Sequence, residues 1–360
     1  MRNGFLKIAA AMGLALLSSP RAEDSAWVSL IPTGTELTGW TPKFEGKAVG
    51  VNPDTTFRMS PEGYLWVDLH TAYSRTGFGH LYYTKQKFSY YLVRAEYKFT
   101  KDKSESGFAD WTNQNNGLMI HCPEPSTVTG QFPNSIEVQL LGPKNTNEDR
   151  VPSATWPVGR TGAMCIAGDN FVVSYNGNNN YTNHCTSPSF PDAWKGTQIP
   201  WDKEFSDITV RVLGDSLVQH YIRGQKVFES SKIRYKSGGQ PVKEGYVAIQ
   251  AEGTAAYFRK LEVLSLIGCM DNTKPSYRSY YVKSDPAACA TTGVNPRKQA
   301  IAKQGGKGGK APGSNLLRRE AGDAGTELFR ADGSQAGSMA PASAEPAGKT
   351  AEGFAAPARR

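Results

Sequence analysis

Strict alternation of apolar and polar residues is the feature that most limits what this chain can become. From Tyr91 to Phe99, residues Tyr91, Val93, Ala95, Tyr97 and Phe99 fall on one side of an extended chain, with Leu92, Arg94, Glu96 and Lys98 on the other. A period of two fits a strand with one packed face and does not fit a helix. Similar signals run from Gly63 to Leu69, Gly117 to His121, Ser135 to Leu141, Asp207 to Leu213, Leu217 to Ile222, Gly245 to Gln250 and Ala256 to Leu266. Turn-forming clusters such as GPKNTNED and NGNNN punctuate them, and neither a βαβ alternation nor an internal repeat occurs. The pattern predicts an all-β protein, a two-sheet antiparallel β-sandwich. It also predicts a hairpin at LVQHYIRGQKVFES, with Arg223, Gly224 and Gln225 in the turn and Gly224 supplying the positive φ.

The two ends read differently. Arg2 and Lys7 precede an apolar run from Ile8 to about Leu17, followed by small residues, which is the plan of a secretory signal peptide over residues 1–22. That run is short of the roughly 20 apolar residues a membrane span needs. The expectation is a periplasmic or secreted protein with no membrane span. Residues 293–360 are rich in Gly, Ala, Ser and Pro, a composition expected to stay disordered. Charge follows the same partition. The chain has 41 basic and 33 acidic residues; 3 basic ones lie in residues 1–22, and residues 293–360 hold 11 basic against 6 acidic, which leaves 27 of each sign. The folded part is neutral, so the basic character of the whole chain gives no support to nucleic-acid binding.

Five cysteines in an exported chain point to disulfides. Cys165 and Cys185 bracket one Gly/Asn-rich stretch, and Cys269 and Cys289 bracket another. Each pair would close a local loop, worth about 3 kcal/mol through the entropy of the unfolded chain. Cys122 is left over. It reads as a buried free thiol, since only His121 beside it would lower its pKa.

Several segments in order resemble the 3-keto-disaccharide hydrolase domain family: WVSLIPTGTELTGW, GHLYYTKQKFSYYLVRAEYKF, NQNNGLMIHC, SIEVQLLG, TGAMC, ITVRVLGDSLVQHYIRGQKV and GYVAIQAEGTAAYFRKLEVL. The resemblance implies a concanavalin A-like lectin/glucanase sandwich of the jelly-roll type over residues 23–267. It is followed by a disulfide-closed appendage (268–292) and the tail. It also implies carbohydrate as the partner, lying on a concave face. Relatives often carry a cysteine before the strand that matches SIEVQLLG, and this chain does not.

Candidate site residues come from polar groups on apolar strands. Glu137 and Gln139 sit two apart, opposite to Ile136, Val138 and Leu140, and so share a face. A solvated strand face would look the same; the resemblance favours a ligand surface. Gln250 and Glu252 share a face, and His220 matches a histidine frequent in relatives. Asn116 and His121 flank one strand and fall on opposite faces unless a bulge intervenes. His80, His121, Glu137 and His220 include residue types that suit a divalent metal, although no HxH or HExxH spacing supports one. A metal cofactor is thus an expectation of the family alone.

A conventional glycosidase needs two carboxyl groups. Laminarinase-like relatives on this fold use an ExDxxE strand, and here Gln139 and Gly142 stand at the partner positions. A 3-keto sugar changes the demand, because the ketone acidifies the C2 proton and the glycosidic oxygen then leaves by elimination. The expected roles are Glu137 or His220 as base, Asn116, Gln139, Gln250 and Glu252 as substrate-binding residues, and a metal or Arg259 at the enolate. A lectin-like binding module is the alternative, for which Trp111, Trp156, Trp194 and Trp201 are possible aromatic platforms. A third reading is an envelope structural protein. The enzyme reading expects Glu137, His220 and Gln250 to converge in one pocket.

Overall fold

The computed structural model describes residues 26–69, 78–101, 112–142, 161–182, 185–186, 189 and 205–290, together with the backbone of three short strands further along. The chain divides into two units, Met1–Gly306 and Lys307–Arg360. In the first unit the strands are β1 (Val28–Ser29), β2 (Trp40–Phe44), β3 (Phe57–Met59), β4 (Leu65–Val67), β5 (Gly79–Phe88) and β6 (Tyr90–Phe99). They continue with β7 (Asn115–Cys122), β8 (Ser135–Leu141), β9 (Met164–Ala167), β10 (Phe171–Tyr175), β11 (Asn178–Tyr181) and β12 (Ser206–Leu213). The last are β13 (Val218–Ile222), β14 (Gln225–Tyr235), β15 (Gly245–Ala251), β16 (Ala256–Ser265), β17 (Ile267–Gly268) and β18 (Lys283–Ser284).

Two antiparallel sheets make the sandwich. The larger, of ten strands, runs β11-β10-β14-β13-β12-β6-β16-β4-β3, with β1 paired to β16; the smaller, of six, runs β2-β5-β15-β7-β8-β9. Eight of the fourteen pairings in the two sheets join strands that are not consecutive in the chain. Their inward side chains explain the alternation: Tyr91, Val93, Ala95, Tyr97 and Phe99 of β6 are buried, as are Leu118 and Ile120 of β7 and Ile136, Val138 and Leu140 of β8. All belong to one continuous core between the sheets. Each fully buried Leu, Val or Phe in it contributes about 1.5–3 kcal/mol.

The expected hairpin forms with a tighter turn than the sequence implied. Ile222 pairs with Gln225, so Arg223 and Gly224 alone make the turn. Both have positive φ, 48° and 74°. A two-residue connection of this hand matches the twist of the strands it joins. The Arg223 amide donates to Asp207 Oδ2 at 3.0 Å, which helps hold a conformation costly for a residue with a side chain.

Both expected disulfides are present, Cys165–Cys185 and Cys269–Cys289, and Cys122 is a buried free thiol. Burial raises its pKa far above the usual thiol range. The second bridge closes the appendage, in which β17 and β18 pair in parallel and one helical turn, Pro286–Cys289, is capped by the Asp285 side chain accepting from the Ala287 amide. Tyr280 fastens this appendage to the sandwich through a small satellite core with Trp27, Leu264 and Leu266.

The second unit holds a three-stranded antiparallel sheet, Leu316–Arg319, Glu327–Arg330 and Gln335–Ser338. The rest of the expected disordered tail, the expected signal peptide, and Trp111, Trp156, Trp194 and Trp201 lie outside the described residues. Among the described residues no helix is long and apolar enough to cross a membrane.

Candidate functional site

The outer face of the six-stranded sheet is where polar side chains collect. Since Leu81, Tyr83, Leu118, Ile120, Val138, Val247 and Ile249 point into the core, the residues alternating with them point outward. Tyr82, Met119 and Ala248 do so and form a separate apolar cluster with Cys122, Val128 and Ala167. One step along the strands, pairing aligns a polar row. Lys43 of β2 lies opposite His80 of β5, His80 opposite Gln250 of β15, and Gln139 of β8 opposite Gly117 of β7. Glu137 sits one pleat further, between Met119 and Cys165.

Gly117 is the floor of this arrangement. A Cβ built on it would lie 2.7 Å from Gln250 Oε1 and 2.8 Å from Glu137 Oε1. The side chains of Glu137 and Gln250 therefore meet above Gly117, across a strand that only glycine leaves low enough. Both residues are buried, Glu137 at 3% and Gln250 at 0% exposure. Among the described residues neither amide atom of Gln250 has a hydrogen-bond partner. An unpaired buried amide is costly, and a ligand that supplies the partners removes the cost.

The neighbours fix the walls. Gln139 donates from Nε2 to Asn115 Oδ1 at 2.9 Å, while its Oε1 lies 3.7 Å from Cys165 Sγ, so the Cys165–Cys185 bridge borders the site beside β8. On the other side Lys43 Nζ donates to the carbonyls of Lys47 at 2.6 Å and Phe44 at 3.1 Å. His80 lies beside the Tyr82 and Phe132 rings, and its Nε2 is buried with no partner among the described residues. Burial holds its pKa down to about 3, so the ring is neutral at physiological pH.

Glu137 and Gln250 come together as expected, with Gln139 beside them. His220 does not join them. It shares its side of β13 with the core residues Val218 and Ile222, packs on Phe228, and donates from Nδ1 to the Gly162 carbonyl at 2.8 Å. Gly162 in turn donates from its amide to the Gln139 carbonyl. The histidine thus ties the ten-stranded sheet to the turn before β9, inside the sandwich; burial lowers its pKa to about 4, against its own hydrogen bond to the Gly162 carbonyl.

Arg259 also lies elsewhere, on the ten-stranded sheet. Its guanidinium pairs with Glu96 at 2.6 Å and covers the Phe205 ring. Asn116 falls on the core side of β7, opposite Leu140, and accepts from the Gly117 amide. Glu252 is buried just beyond the end of β15. A bulge in β7 does intervene at His121, whose φ is 56° and whose ring is buried near Gly214 and Asp215, at the connection from β12 to β13.

His121, Glu137 and His220 therefore occupy three separate places, and the described residues hold no group of three or more His, Cys, Asp or Glu spaced for an ion. They do not fit a metal centre, and no step below passes through one. Lys43 and Gly117 are the site residues that the sequence reading passed over. Their signal is cross-strand register, which links positions far apart in sequence.

A buried carboxylate and amides thus stand on the outer face of the smaller sheet of an antiparallel β-sandwich. The chain belongs to the family of the 3-keto-alpha-glucoside-1,2-lyase-like domain, which matches residues 26–264. A search of curated proteins gives no match. Among solved structures, a candidate glycosyl hydrolase from Parabacteroides distasonis is similar at 15% identity, covering 69% of this chain and 97% of that one, with a TM-score of 0.41. The carbohydrate-binding module CBM66 from Bacillus subtilis is similar at 11% identity, covering 65% and 100%, with a TM-score of 0.34. A β-glucanase from Bacillus licheniformis is similar at 11% identity, covering 66% and 97%, with a TM-score of 0.37.

Proposed function

We propose that this protein cleaves 3-keto-glycosides outside the cytoplasm, on the outer face of the six-stranded sheet, with Glu137 as the base. The observation that carries this reading is the meeting of Glu137 and Gln250 above Gly117, with both amide atoms of Gln250 unpartnered among the described residues. Membership of a family named for 3-keto-glucoside lyases supports the substrate class. The two disulfides fit an oxidising compartment, and the expected signal peptide supplies the route.

In the proposed reaction the Glu137 carboxylate takes the C2 proton, and the C–H electron pair moves onto the C3 carbonyl oxygen as an enolate. The Gln250 amide, and a neutral His80 carrying its proton on Nε2, donate hydrogen bonds to that oxygen. Collapse of the enolate forms the C1–C2 double bond and breaks the bond from C1 to the glycosidic oxygen, which leaves with a proton from water. Addition of water across the double bond then gives net hydrolysis. Gln139, held by Asn115, orients a hydroxyl of the sugar.

A second reading is a carbohydrate-binding module without turnover. It is favoured by the position of His220, which lies inside the sandwich on the Gly162 carbonyl, so the expected convergence of Glu137, His220 and Gln250 does not form. One experiment separates the two: incubation of the protein with a 3-keto-glucoside in deuterium oxide. Wild type should exchange the C2 proton and release the aglycone, while Glu137→Gln should lose roughly 10²–10⁴-fold in both yet still bind. Full turnover by Glu137→Gln would end the assignment of the base, and binding without exchange by wild type would establish the module.

A further inference from the structure

We propose that the sugar bound at this site carries a carboxylate at C6, which makes the substrates 3-keto-uronides, and that Lys43 is the residue that binds the carboxylate. The inference deepens the proposed reaction and rests on it for the placing of the ring. Lys43 is 8% exposed and lies on the outer face of β2 opposite His80, in the row that leads on to Gln250. An ammonium group has three N–H donors. Two of those on Lys43 go to backbone carbonyls, of Lys47 and Phe44, and the third has no acceptor among the described residues.

Charge is what this arrangement lacks. Both partners of the ammonium are neutral, and no carboxylate among the described residues pairs with it. A buried cation without a counter-charge is costly, and an anionic ligand group offsets that cost. Glu137 is the acidic group of the site, but β8 stands four strand spacings from β2, about 19 Å across the sheet, too far to serve Lys43. A second, independent observation lies next to the lysine: His80 is 2% exposed, and its Nε2 is buried with no partner among the described residues. The end of the row nearest β2 therefore offers polar groups to a ligand and supplies no negative charge of its own.

Register decides which part of the sugar reaches the lysine. Glu137 takes the proton from C2, and Gln250 and His80 hold the C3 oxygen, so the direction from β8 toward β2 runs from C2 through C3. The leaving group on C1 is on the other side of C2, away from Lys43. Beyond C3 come C4 and C5, and C5 bears C6. Lys43 stands two strands from Gln250, about 10 Å between backbones, a span that the long lysine side chain and one sugar ring fill together. A hydroxymethyl group at C6 would leave the ammonium without a counter-charge, and a carboxylate provides one.

The test uses sugars that cannot react, in ligand-observed NMR titrations of the full protein. Methyl α-glucuronide should bind roughly 10-fold tighter than methyl α-glucoside, the worth of one hydrogen bond between charged groups. Lys43→Met should erase the difference, and Lys43→Arg, which keeps the charge, should retain most of it. A carboxylate on the leaving group should not substitute, so 4-carboxyphenyl α-glucoside should bind no tighter than phenyl α-glucoside. Because no turnover is involved, this comparison can fail while C2 exchange by wild type succeeds, and the reverse. Absence of saturable glucuronide binding, equal binding of glucoside and glucuronide, a preference for the carboxyphenyl glucoside, or a preference for glucuronide kept by a folded Lys43→Met would each overturn the proposal.

Discussion

Three buried histidines set the response of individual residues to acid. Burial lowers His80 to about 3, and His121 and His220 to about 4, from an ordinary value of 6.5. Each folded pKa is depressed, so below about pH 6.5 the unfolded chain takes up protons that the folded chain refuses. Their contribution is complete above that value and is lost as the pH falls toward 4. Each histidine then steepens the fall by up to about 1.4 kcal/mol per pH unit. Urea unfolding between pH 6.5 and 4.5 should show this loss, and His220→Gln, whose amide can still donate toward Gly162, should remove about one third of the histidine slope. An unchanged slope would mean that His220 is not held neutral in the fold.

At the scale of elements, the turn between β13 and β14 carries a residue whose side chain works against its backbone. Arg223 takes a left-handed conformation that asparagine adopts more easily, next to Gly224. Arg223→Asn should raise stability by about 0.5–1 kcal/mol, seen as a higher urea midpoint with the same slope. The existence of this hairpin was legible because Gly224 and flanking alternation mark it, and β6, β8 and β12 were legible for the same reason. Alternation also placed Glu137 and Gln139 on one face. What it could not give was which face of which sheet meets the ligand. His220 shares parity with Val218 and Ile222, and Asn116 with Leu118 and Ile120, so their core positions were written in the strands but outweighed by family likeness. Lys43, His80 and Gln250 form one row through pairing of β2, β5 and β15, and local periodicity carries no information about such register.

For the whole molecule, the appendage and the sandwich should come apart separately. Replacing Cys269 and Cys289 with serine removes about 3 kcal/mol of loop-closure constraint from a segment that is also held by Tyr280 and Tyr281 on the satellite core, by Lys283 over the Tyr90 ring and by one parallel strand pair. Limited proteolysis should then cut between residues 270 and 282 while the sandwich keeps its cooperative unfolding, because local openings need not reach the global transition. Simultaneous loss of both would show that the two are one folding unit. The strand orders have a different consequence, for the protein among other chains. Among the described residues every open border of the two sheets is a short strand: β11 and β3 on one, β2 and β9 on the other. Pro42 interrupts β2, and Cys165 in β9 bridges to Cys185. Borders so brief and so obstructed give a neighbouring chain little to extend, which guards the folded domain against growing into fibres by strand addition.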